Sequence, residues 1–64
     1  MTKDELKHFR KELKEASRGI ILAGKQLNEG RLHKMLDTMR ELTRNLNKLG
    51  DELSNIIEQQ SSNV

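Results

Sequence analysis

Asp4, His8 and Glu12 recur at intervals of four residues. On a helix that spacing stacks an imidazole between two carboxylates along one face, the donor set of a weak surface metal site. Solvated side chains supported by i,i+4 charge pairing account for the same spacing, and no metal is assigned to them. The four serines Ser17, Ser54, Ser61 and Ser62 have no histidine or carboxylate positioned in sequence to activate them, and no glycine-rich phosphate loop follows a strand pattern. With no cysteine there is neither a disulfide nor a thiolate site. The chain reads as a non-enzyme without catalytic residues, metal or cofactor.

The stronger chemical signal is charge. Lys7, Lys11, Lys14, Arg18 and Lys25 return every three, four or seven residues and so line one exposed edge of a helix, with His33, Arg40 and Arg44 on the equivalent edge of a second segment. Residues 1–28 carry seven basic and four acidic side chains, whereas residues 51–64 carry three acidic and none basic. A basic strip of this kind can follow phosphates, which makes nucleic acid, RNA before DNA, a candidate partner for Lys7, Lys11, Lys14, Arg18, Lys25, Arg40 and Arg44. Against that stand a net charge of only +2, a single aromatic residue and the absence of a recognition-helix motif. An ordinary solvated face explains the strip as well.

Two leucine-rich segments must position these residues. Leu6, Phe9, Leu13, Ala16, Ile20, Ala23 and Leu27 alternate at spacings of three and four, as do Leu32, Met35, Met39, Leu42, Leu46, Leu49, Leu53 and Ile56. That alternation keeps one stripe of a helix apolar. The phase breaks at Asn28-Glu29-Gly30, which predicts an all-α, coiled-coil-like antiparallel hairpin over residues 1–60: helix 3–28, turn 28–30 and helix 31–59, with residues 61–64 a disordered tail. Thr2 and Glu5 have the spacing of a capping box, and Gly30 suits the left-handed close of a helix. Numbers of facing residues should sum to 59, pairing Leu13 with Leu46 and Leu6 with Leu53. Gly50 is read as lying inside the second helix.

The chain has 64 residues, a third of them charged, and an apolar run of at most four. It is too polar for a membrane span and lacks the apolar stretch of a secretory signal, which places it in the cytoplasm. A core this small, with nothing covalent to support it, calls for a partner in the folded state. Apolar residues outside the seam point the same way: Leu36 and Ile57 widen the face of the second helix, and Ile21 and Leu22 leave the first seam altogether. Either these four fill the core of a homodimeric four-helix bundle, or they dock a different protein.

The length, hairpin and paired seams resemble the Rop family of plasmid copy-number proteins. That resemblance implies a hairpin dimerising into a four-helix bundle and binding paired RNA loops through the first helices, where the basic edge falls. The chain is also similar in architecture to the small aspartyl-phosphate phosphatases of sporulating bacteria, whose second helix carries a Ser-x-x-x-Asp motif. Here Thr43-Arg44-Asn45-Leu46-Asn47 replaces both motif residues, so that activity is not carried over. The functional expectation is a small regulatory protein–protein interaction module, an adaptor or inhibitor, with a Rop-like nucleic-acid-binding hairpin as the alternative.

Overall fold

The computed structural model describes residues 1–61, and the side chains of residues 1–60. Two helices, α1 (Lys3–Asn28) and α2 (Leu32–Ser61), pack against each other as a hairpin. The Cα envelope measures 52 × 18 × 11 Å. The smallest extent is that of one helix, so the hairpin is a single layer of two helices, whereas a stable domain needs at least two layers around its core.

Local chemistry sets each end. Thr2 adopts an extended conformation and its Oγ1 accepts from the Glu5 N–H at 3.1 Å, while Glu5 Oε1 accepts from the Thr2 N–H at 2.8 Å. This is the reciprocal capping box, and Asp4 adds a second acidic group to the positive end of the helix dipole. At the other end Gly30 has φ +72°, the Gly30 N–H donates to the Leu27 carbonyl and the Arg31 N–H donates to the Gln26 carbonyl. These two bonds form a Schellman close, which satisfies the last carbonyls of α1 and turns the chain back. The Arg31 carbonyl then accepts the first bond of α2, from Met35. Helix α2 therefore begins at Leu32, the first residue of its apolar pattern and one residue later than the predicted start at Arg31. It runs unbroken through Gly50 and remains helical at Ser61, where the sequence predicts a tail. Glu58, Gln59 and Gln60 are good helix formers, which accounts for the extension. The rest of the expected tail, residues 62–64, lies outside the described residues.

The capping box carries a pH dependence. Hydrogen bonds from the Thr2 backbone and then from its side chain hold the Glu5 carboxyl below the usual range. A carboxyl whose folded pKa is depressed contributes stability above its unfolded pKa, and that contribution is lost as pH falls through the folded one. Thermal melts of the parent and a Glu5→Gln variant should differ at neutral pH, the parent being more stable, and should converge as the solution is acidified through the carboxylate range. A constant difference across that range would show that the charge on Glu5 is irrelevant.

The two helices meet in the predicted antiparallel sense and close to the predicted register. Gly19 lies against Leu42, and His8 Nε2 is 2.7 Å from Glu52 Oε2. Each contact is one or two residues from the pairing expected. The rotation of the helices is where the structure departs from the sequence pattern. The contact seam runs through Glu5, Phe9, Glu12, Ala16, Gly19, Ala23 and Gln26 on α1, all half-buried. On α2 it runs through Met35, Thr38, Leu42, Leu49, Glu52 and Ile56, of which Leu49 is buried, at 9 % exposure, and the others half-buried. Half of the expected seam is present, namely Phe9, Ala16 and Ala23 with Met35, Leu42, Leu49 and Ile56. The other half, Leu6, Leu13, Ile20 and Leu27 with Leu32, Met39, Leu46 and Leu53, is exposed. The slim run Ala16, Gly19 and Ala23 explains the rotation. A Cβ on Gly19 would stand 3.3 Å from Leu42 Cδ1, so the missing side chain lets the leucine close on the backbone.

Candidate protein-interaction surface

The rotation divides the hairpin into two unlike faces. In an antiparallel pair, a forward step along either helix turns away from the shared seam toward the same side of the layer. The exposed residues Leu6, Leu13, Ile20 and Leu27 each follow a seam position of α1, and Met39 and Leu53 follow Thr38 and Glu52 on α2. Leu46 and Leu32 belong to the same stripe of α2 by its seven-residue repeat. Both stripes therefore emerge on one face of the layer.

That face is apolar over most of the molecule's length. Ile20 is 60 % exposed and Leu32 59 %, and the others lie between these and Leu6 at 39 %. Leu36 and Ile57 extend the α2 side of it, and Gly24 and Gly50 lie along its margins with open space at their Cβ positions. Arg10, which follows Phe9, is a charged side chain on the α1 margin, and the two hydroxyls within the face are internally satisfied. Ser17 Oγ donates to the Leu13 carbonyl at 3.1 Å, and Thr43 Oγ1 donates to the Met39 carbonyl at 2.8 Å. Such bonds to the preceding turn leave no hydroxyl proton to be stranded when the surface is covered.

The opposite face is polar. It carries the His8–Glu52 contact, and Thr38 Oγ1 donates to Gln26 Oε1 at 2.8 Å. Between these a cleft of about 230 Å³ runs along the seam, bordered by Glu12, Glu15, Gly19, Leu22, Glu41 and Asn45 among others. Its carboxylates are spread along the cleft, and among the described residues no group of three histidine or acidic side chains converges on a point where a metal could sit. Asp4, His8 and Glu12 do not converge either: His8 turns toward Glu52 on the neighbouring helix.

The four residues singled out for protein docking fall in three places. Leu36 and Ile57 belong to the apolar face. Ile21, 72 % exposed, sits on the outer edge of α1, and Leu22 borders the polar cleft. The basic residues are likewise divided. By helical periodicity Lys7, Lys11, Lys14, Arg18 and Lys25 occupy the outer edge of α1, and His33, Arg40 and Arg44 that of α2, on the far side of the layer. A single hairpin therefore presents two separate basic edges. Sequence reasoning missed the inward positions Glu5, Glu12 and Gln26, which repeat with Gly19 every seven residues beside the leucines. That repeat was visible, but polar residues at helical spacing read as a solvated face.

No helix among the described residues is long and apolar enough to cross a membrane. Comparison with protein-family models, with curated proteins and with solved structures gave no match. The likeness to Rop and to the sporulation phosphatases thus stays at the level of hairpin architecture.

Proposed function

We propose that this chain is a small helical interaction module that self-associates through its apolar face into a four-helix bundle and regulates another protein by binding it. The observation that carries the reading is the face itself. Among the described residues thirteen large hydrophobic side chains are exposed and one, Leu49, is buried. A monomer rarely leaves so large a contiguous apolar surface in water. With about half of each side chain uncovered, the ten residues of this face expose on the order of 800–900 Å² per copy, close to the roughly 800 Å² that each partner contributes to a standard interface. Covering it with a second hairpin supplies the missing second layer. Ile21 and Leu22 stay outside that contact and are the residues we assign to a heterologous partner.

Thermal unfolding tests the reading. Because only the folded hairpin can self-associate, its melting temperature should rise over a hundredfold increase in protein concentration. A melting temperature that stays constant over that range would count against self-association.

A further inference from the structure

Building on the self-association proposed above, we infer that the two copies stack antiparallel, with the turn of each hairpin over the open end of the other. Two symmetric arrangements bring apolar face to apolar face. A two-fold axis along the helices places turn on turn and lays α1 over α2 of the copy. An axis across the helices places turn on open end and lays α1 over α1 and α2 over α2.

Charge decides between them. The turn end, residues 21–38, carries Lys25, Arg31 and Lys34 against Glu29 and Asp37, an excess of one cation. The open end, residues 1–10 and 51–60, carries Asp4, Glu5, Asp51, Glu52 and Glu58 against Lys3, Lys7 and Arg10, an excess of two carboxylates. Stacking turn on turn sets a net positive end on a net positive end and a net negative end on a net negative end. The antiparallel stack opposes unlike charges at both ends, and like charges brought within a Debye length are strongly disfavoured. Helix α2 shows the same imbalance, with no acidic residue in its first turn and no basic residue in its last. It runs against its own macrodipole, and an oppositely charged end of a second copy offsets that at both termini.

The packing permits this axis. The α1 stripe is centred between Ala16 and Ser17, and the α2 stripe between Leu42 and Thr43. Gly19 lies against Leu42 and His8 against Glu52, so the two centres are offset by only one or two residues, about 3 Å at most along the hairpin. A single axis through them lays Leu13 over Ile20 and Met39 over Leu46 of the copy. Leu36 then comes to Gly50 of the copy, where a side chain would otherwise find open space. Ser17 and Thr43, whose hydroxyls are already satisfied, fall beside the axis.

The chain has no cysteine, so Ser17→Cys and Thr43→Cys each introduce one thiol. In the antiparallel stack each lies beside its own equivalent. A short bis-maleimide, able to link facing helices but not the bundle diagonal, should therefore give covalent dimers with either variant alone. Mixing the two variants should add no further linked species. In the other stack neither variant links alone and the mixture does, and that result overturns the orientation while leaving self-association intact. Sedimentation of both unlinked variants and the parent separates the two claims, since a one-chain mass for all three overturns self-association and the orientation with it.

Discussion

A Leu13→Asp, Met39→Asp double variant is expected to sediment as a single chain at concentrations where the parent sediments as two. Both side chains lie near the middle of the apolar face, at 53 % and 47 % exposure in the lone hairpin. There an aspartate costs little, because water reaches it. In the bundle each copy brings two carboxylates into a largely apolar contact. Their lost solvation should weaken association by at least ~4 kcal/mol, about three orders of magnitude in the dissociation constant. Ile21→Asp is the control. It makes the same chemical change on the outer edge of α1, and the two-chain mass should survive it. If Ile21→Asp dissociates the protein and the double variant does not, the face has been assigned to the wrong side of the layer.

The second large effect belongs to Leu49. Among the described residues it is the one large hydrophobic side chain that is buried, at 9 % exposure, and it lines the cleft with Ala16 and Leu42. Truncation to alanine removes its packing and opens a cavity on a seam whose other helix already contributes only small residues at Ala16 and Gly19. A loss of about 3 kcal/mol is expected, within the range for leucine truncations in cores. Ile21→Ala, from the exposed edge, should stay within about 0.5 kcal/mol of the parent. Denaturant unfolding followed by circular dichroism measures both. A loss below ~1 kcal/mol for Leu49→Ala would mean that the seam through Leu49 is not where the helices hold together.

The sequence made some parts of this structure legible and hid others for a physical reason. Thr2, Glu5 and Gly30 act through bonds to their own neighbourhood, so the start of α1 and the turn could be read locally. The 3,4 pattern correctly named the apolar residues of both helices, and the break in its phase correctly named the hairpin. What the pattern does not encode is rotation. Leu6, Leu13, Ile20 and Leu27 have the same spacing whether they face the partner helix or a third one. Gly19 and its alanine neighbours settle the matter by how closely Leu42 can approach. The same degeneracy hid the division of the docking candidates, because Leu22 and Leu36 look alike in sequence and lie on opposite faces of the layer.

The central claim, that the open apolar face is covered by a second copy of the chain, is tested most directly by sedimentation equilibrium over a wide range of protein concentration. The account predicts a mass of two chains that falls toward one only on strong dilution. A mass of one chain throughout, with the helices still formed, would contradict it.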